Sequence, residues 1–265
     1  MMRKKNRKPS LYLDETTLIG PDLHFAASEA YKLLRTNILF SLPDEKQCRI
    51  IGITSSISGE GKSTTAINLA YTVAETGKKV LLMELDMRLP TIAKRLSVRE
   101  TPGLSNFLAG LTTMGDIQQP SGIHENLFVI TSGDIPPNPS ELLGAKEMAA
   151  TVEYLSKSFD FIFFDLPPVN VVSDALVVSK LTHGMIMVVR QNYNNQRELS
   201  EAMRQLKIVD AKVLGFVLSR GEVRDAKYKN KKYRKQGYEY GYGYGYGYGY
   251  GRKPVKPERT EKKND

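Results

Sequence analysis

Six apolar runs, RIIGITS, KKVLLMEL, NLFVIT, FDFIFFDL, GMIMVVR and AKVLGFVLS, recur along the chain with helical stretches between them. Each has the length of a strand, and near-continuous apolar character is what a strand covered on both faces carries. Strands alternating with helices build an α/β fold, a doubly wound and mostly parallel sheet whose ligand groups stand at the carboxyl ends of the strands. Ahead of the first run, SEAYKLLRTNILFSL sets Ala30, Leu33, Leu34, Ile38 and Leu42 at the spacing of one helical face, with Ser28 as N-cap. In PPNPSELLGAKEMAATVEYLSKS, Asn138 is placed to cap, Pro139 suits the first turn and Glu141 closes a capping box, so a helix is expected to run to about Ser156.

Charge divides the chain. The net charge is +9, yet residues 1 to 8 alone carry +5 and residues 220 to 265 carry fourteen basic against six acidic groups. The remainder, with 19 basic and 23 acidic residues, is mildly acidic. Basicity confined to the ends gives no pattern for reading a base sequence, so no specific nucleic acid is expected as a partner. From about Gly221 the strand and helix pattern stops. Nine of fourteen tyrosines, Tyr228, Tyr233, Tyr238, Tyr240, Tyr242, Tyr244, Tyr246, Tyr248 and Tyr250, fall beyond that point, and six Tyr-Gly pairs run from Tyr240 to Gly251. Glycine at alternate positions and few aliphatics make a fixed fold entropically costly, so this tail is expected to be disordered. The expected organisation is a basic flexible leader at 1–25, a folded domain at 26–220 and a Tyr/Gly-rich basic tail at 221–265.

SSISGEGKST lies between the first strand and the helix TTAINLAYTVAETG. It matches the phosphate-loop pattern G-x-x-x-x-G-K-[ST] with Ser56 in place of the first glycine and Gly61, Lys62 and Ser63 in register, a deviant Walker A loop on a P-loop NTPase core. Backbone N–H groups of the loop, here Ser58, Gly59, Glu60, Gly61, Lys62, Ser63 and Thr64, would wrap a phosphate at the helix N-terminus. The Lys62 ammonium would neutralise the β- and γ-oxygens of ATP, and the Ser63 hydroxyl would hold Mg²⁺. Two other runs end in acids. Asp165 after FIFF suits support of the same Mg²⁺, and Glu84 and Asp86, one residue apart and so on one side of an extended strand, offer a base and a further metal group.

Other chemistry has little to stand on. His24, His124 and His183 show no ligand spacing, and Asp160 precedes its strand as a cap or turn residue. Cys48, the only cysteine, excludes an internal disulfide and reads as a small buried hydrophobe. No run nears the roughly 18 apolar residues of a membrane-spanning helix, and the N-terminus has no apolar signal segment, so a cytoplasmic protein is expected.

The combination resembles the bacterial tyrosine kinases of capsule and exopolysaccharide synthesis, in their stand-alone form from Gram-positive bacteria, over about residues 26 to 250. SSISGEGKST, VLLMELDMRLP and FFDLPPV are similar to the three nucleotide motifs of that family, and SGDIPPNPSELL, GLSNFLAG and VSDA match in place. Glu29, Lys32 and Arg35 fall on its E-x-x-R-x-x-R oligomerisation motif with Lys for the first Arg. Glu84 stands where the family usually has Asp, and Ser219 where an asparagine often follows the last strand.

The resemblance implies an ATP- and Mg²⁺-dependent protein tyrosine kinase with Lys62, Glu84, Asp86 and Asp165 in its catalytic machinery and Ser63, Asp86 and Asp165 on the metal. It implies phosphorylation of the tail tyrosines by a neighbour in a ring-like homo-oligomer. It also implies a transmembrane polysaccharide co-polymerase as activator, recruitment to the inner face of the membrane, and a protein tyrosine phosphatase as counterpart. Two other readings compete. A partitioning or division-site ATPase would carry a second lysine where this chain has Ile57. A nucleotide-binding scaffold with an adhesive Tyr-rich tail is the third, since tyrosines interleaved with cations can stack on single strands.

Overall fold

The computed structural model describes residues 19–42 and 48–221. In chain order the elements are α1 (Phe25–Ser41), β1 (Arg49–Ser55), α2 (Lys62–Ala74), β2 (Val80–Glu84), α3 (Ile92–Leu96), α4 (Leu104–Leu108), α5 (Met114–Ile117), β3 (Gln118–Pro120), β4 (Leu127–Ile130), α6 (Pro139–Gly144), α7 (Lys146–Ser156), β5 (Phe161–Asp165), α8 (Asp174–Val178), β6 (Gly184–Arg190), α9 (Gln196–Ile208) and β7 (Val213–Ser219). Seven strands form one sheet in the order β3-β4-β2-β5-β1-β6-β7, parallel throughout except where β3 runs against β4. This is the doubly wound α/β fold.

Period-two alternation divides the apolar runs between two cores. Ile51, Ile53, Val80, Leu82, Phe161 and Phe163 point to the α1 and α2 side, whereas Ile50, Leu81, Met83, Ile162 and Phe164 join Met148, Val152, Leu155, Ala175 and Leu206 on the other. Register then fixes where the site falls. Ile53 and Glu84 both pair with Asp165, so the carboxyl ends of β1, β2 and β5 end side by side.

Six local expectations need correction. The helix of Phe25–Ser41 begins ahead of Ser28; His24, in extended conformation, precedes it and accepts the Ser28 N–H at 2.9 Å, so Ser28 is not the cap. Its inward stripe is Tyr31, Leu34, Ile38 and Leu42, while Leu33 is 54% exposed. The helix expected across residues 139–156 breaks at Ala145, which is extended at ψ 158°. Asn138 caps no helix N–H there and instead donates from Nδ2 to Glu141 Oε2 at 2.6 Å. β7 is an edge strand with Phe216 55% and Leu218 61% exposed, so its apolar run does not reflect burial on both faces. Finally, packed structure begins before residue 26, since Ile19 is buried and the Gly20 N–H donates to Asn68 Oδ1 at 2.9 Å.

The Tyr/Gly tail and most of the basic leader lie outside the described residues. Among those described, no helix is long and apolar enough to cross a membrane.

Candidate nucleotide site

β1 ends at Ser55 and α2 begins at Lys62, and the loop between them turns on two glycines. Gly59 at φ +81° and Gly61 at φ +94° sit in the left-handed region, which side chains other than glycine adopt only with strain. Gly61 occupies the N-cap of α2, so the first turn of the helix opens into the loop. Ser58 and Gly59 are exposed at the crest and Ser63 is buried behind them.

Three side chains converge below this loop. Lys62 Nζ lies 2.7 Å from Asp86 Oδ2, with both side chains largely buried. Burial alone would depress Lys62, but the nearby charges of Asp165, Asp86 and Glu84 hold its pKa above the ordinary lysine value. Asp165 is fully buried, and neither of its carboxylate oxygens has a hydrogen-bond partner of good geometry. Burial pushes its pKa up, and the Lys62 charge and the Ser63 hydroxyl work against that rise. A buried, unpaired carboxylate is costly to keep without a cation. Among the described residues no group of three or more His, Cys, Asp or Glu could hold a metal ion alone. Ser63, Asp165 and Asp86 therefore suit an ion that takes its other oxygens from a ligand, as Mg²⁺ does from phosphates.

Glu84 is placed differently from its neighbour. It is 1% exposed, and its Oε1 accepts the N–H groups of Thr91 at 2.5 Å and Ile92 at 2.7 Å while Oε2 accepts that of Ser132 at 3.3 Å. Burial raises its pKa to about 7 in spite of these three donors. The carboxylate thus ties the start of α3 and the turn after β4 to the end of β2.

A model of the AAA domain family matches residues 48–213. Tyrosine-protein kinase YwqD of Bacillus subtilis (strain 168) is 37% identical over 219 residues, spanning 83% of this chain and 91% of that protein. The chain belongs to the bacterial tyrosine-protein kinases. A solved structure of the chimerical protein CapA2B2 superposes on this kinase with a TM-score of 0.68 at 39% identity, over 72% of this chain and 83% of that one. The septum site-determining protein MinD of Pyrococcus horikoshii OT3, complexed with Mg-ADP, reaches a TM-score of 0.56 at 24% identity over 66% of this chain and 72% of that one, a likeness of fold alone.

Several residues that shape the site of this kinase, most of them in stretches that the resemblance marked, make contacts that the sequence did not disclose. Arg95 on α3 donates from Nη1 to Thr64 Oγ1 at 3.1 Å, crossing from the β2 side to the foot of the phosphate loop. Arg88 pairs with the fully buried Asp174 at 3.1 Å, not with Glu84 or Asp86, and also reaches Ser140. Asn106 Oδ1 accepts from the Gly103 and Asp134 amides at 3.0 and 3.2 Å, and its Nδ2 donates to Asp134 Oδ2 at 2.7 Å. The stretches GLSN, SGD, NPSE and VSDA are thus the pins of the loops around the mouth. Periodicity gave them no role because each is a contact between segments far apart in the chain.

Elsewhere, Glu29 and Lys32 form an i,i+3 ion pair at 2.9 Å on α1, and Arg35 Nη1 donates to the Thr72 carbonyl of α2. His183 Nδ1 accepts from the Ile50 N–H and His124 Nδ1 from that of Asn126, as befits boundary residues. Asp160 clamps the turn before β5 by accepting the Lys79 N–H at 2.8 Å. Cys48 is buried, and burial pushes its thiol up to about 12.

Proposed function

We propose that this tyrosine kinase binds ATP with its phosphates on the loop of residues 58–64 and transfers the γ-phosphoryl group to tail tyrosines of a neighbouring copy. The observation that carries the reading is the convergence of the Lys62 ammonium, the Asp86 carboxylate and the unpaired, buried Asp165 carboxylate under two left-handed glycines. Backbone N–H groups of the loop and Lys62 bind and neutralise phosphate oxygens. Ser63, Asp165 and Asp86 would hold Mg²⁺, which when bound would supply charge neutralisation to the transferring phosphate.

A tyrosine oxygen forms a bond to the γ-phosphorus as the bond from that phosphorus to the leaving oxygen of ADP breaks. The phenol proton is assigned to the Asp86 carboxylate, which accepts Lys62 Nζ at Oδ2 at 2.7 Å and the Leu89 N–H at Oδ1 at 3.1 Å and would give up one of these contacts to take it. Glu84, with its oxygens engaged by Thr91, Ile92 and Ser132, serves by fixing the loops beside Asp86.

Around this reaction we place the acceptors Tyr228 to Tyr250, a homo-oligomer formed through α1, a transmembrane activator of the polysaccharide co-polymerase kind, an opposing tyrosine phosphatase, and residence at the inner membrane face. The regulated process is capsular or extracellular polysaccharide synthesis. Pure protein incubated with Mg-ATP, alone and with the activator's cytoplasmic segment, is expected to gain phosphotyrosine on an immunoblot, and Lys62→Met is expected to gain none. Labelling of Lys62→Met at the wild-type rate would place the nucleotide elsewhere.

A further inference from the structure

One buried carboxylate of the phosphate loop has no part in that reaction. Glu60 is fully buried, and its Oε2 accepts the Ser56 N–H at 2.9 Å, the Ser56 hydroxyl at 2.8 Å and the Ile57 N–H at 3.0 Å. Its Oε1 faces the other way, toward the loop of residues 191–195 that joins β6 to α9. There it accepts the Arg190 N–H at 3.2 Å and Asn194 Nδ2 at 2.9 Å. Five donors from two segments more than a hundred residues apart satisfy one charge, which is what a carboxylate withdrawn from water needs.

The remaining contacts run between the same two segments. Arg190 donates from Nη1 to the Gly59 carbonyl at 3.2 Å, and its guanidinium lies 4.4 Å from the centre of the Tyr193 ring. A Cβ at Gly59 would stand 2.9 Å from the Tyr193 hydroxyl, so the β6–α9 loop covers the crest closely. Asn194 Nδ2 also reaches Ser56 Oγ, while Asn194 Oδ1 is buried without a partner. Turning that amide over would set its oxygen against the carboxylate, so Glu60 dictates its orientation. The serine in place of the first glycine belongs to this network, since its hydroxyl stands between Glu60 and Asn194.

We propose that Glu60 is a positioning residue that locks the phosphate loop to the β6–α9 loop, so that the cradle is built before nucleotide enters and both loops meet the nucleotide as one body. The proposal rests on the reading of residues 58–64 as the phosphate cradle. Its physical basis is entropy. A loop with two left-handed glycines is otherwise free to move, and ordering its backbone costs conformational entropy, which a preformed loop does not spend on binding.

The test is a reciprocal exchange in the full-length chain, read by calorimetric titration with Mg-ADP and by ATP-dependent tail labelling. Glu60→Gln turns an amide NH₂ toward either the Ser56 and Ile57 N–H groups or the Arg190 N–H, a clash of donors that turning over Asn194 does not relieve. Asn194→Asp sets two carboxylates face to face. Each single variant is expected to weaken ADP binding and raise KM for ATP about tenfold, and Asn194→Asp, which lies outside the phosphate loop, is expected to keep kcat at saturating ATP within about twofold of wild type. In the double variant the new amide donates to the new carboxylate while the Arg190 N–H still faces an NH₂, so affinity is expected to recover in part and to exceed that of the weaker single variant. A double variant no tighter than the weaker single, or a fall in kcat with KM unchanged, would overturn the proposal.

Should either exchange fail to fold by circular dichroism, Asn194→Ala, which removes one donor of the five, is expected to weaken ADP about threefold with kcat unchanged, and unaltered affinity would overturn the proposal equally. Lys62→Met separates failure of the lock from failure of the site. Loss of labelling in Lys62→Met beside wild-type ADP affinity in the Glu60 and Asn194 variants defeats the lock alone. Wild-type labelling in Lys62→Met defeats the site itself.

Discussion

Shortening Glu84 by one methylene tests whether its carboxylate anchors the loops beside the site. In Glu84→Asp the carboxylate retreats by about one C–C bond, 1.5 Å, along a fully buried β2. The contacts to Thr91 and Ile92 at 2.5 and 2.7 Å would open to about 4 Å, beyond hydrogen-bond range, and that to Ser132 at 3.3 Å would open further. At about pH 8.5, above the Glu84 pKa of about 7, the carboxylate is charged and hydrogen bonds to it are worth about 1.5–3 kcal/mol each; relaxation of the two loops recovers part of the three, leaving a net loss of about 2–4 kcal/mol. For a domain of this size each kcal/mol moves Tm by about 2–4 °C, so a fall of about 5–15 °C is expected. Thermal unfolding followed by circular dichroism, with a urea titration to check that the slope is unchanged, reads it directly. A Tm within about 1 °C of wild type would show that the turns at residues 91 and 132 stand without Glu84, and the anchoring argument would fail.

Removing the Arg88 guanidinium with Arg88→Met leaves the buried Asp174 with Ser140 alone; because Arg88 is 41% exposed, the loss in urea unfolding is expected near 1–3 kcal/mol and not at the upper end for buried pairs, and an unchanged midpoint would contradict the pairing. Burial holds the Cys48 thiol at about 12 against an ordinary 9, so the neutral form contributes stability that is complete below about pH 9 and is lost as pH rises through 12. An aromatic disulfide reagent at pH 8 is therefore expected to label Cys48 only after denaturant is added, and rapid labelling of native protein would refute its burial. Changing Glu29, Lys32 and Arg35 together to Ala is expected to lower both the mass seen by light scattering and tail phosphorylation, and unchanged mass would exclude α1 as the assembly helix.

The sheet was legible because parallel strands covered on two faces leave long apolar runs, and five of the seven did so. β3 escaped because GlnGlnPro at an edge carries no apolar run, and β7 looked like an inner strand because its composition matches one while its outer side chains are exposed. The phosphate loop and the acids at the ends of β2 and β5 were legible for a different reason: their chemistry requires fixed spacing within one segment. Reach was not legible. A period of two set Glu84 and Asp86 on one side, but only the fold shows that Glu84 ends on the amides of Thr91, Ile92 and Ser132 whereas Asp86 ends on Lys62. Nor could spacing pair Arg95 with Thr64, Arg88 with Asp174 or Glu60 with Asn194, since each contact joins segments brought together only when the sheet assembles.

Transfer between copies is the central claim, and one mixing experiment addresses it. Full-length Lys62→Met protein supplies tyrosines without a working phosphate loop, and protein ending at Gly221 supplies a working loop without tail tyrosines. Incubated together with Mg-ATP and the activator's cytoplasmic segment, then resolved by size and probed for phosphotyrosine, the longer Lys62→Met band is expected to become labelled although neither protein labels it alone. An unlabelled long band, under conditions where wild-type protein labels its own tail, would contradict transfer from one copy to another.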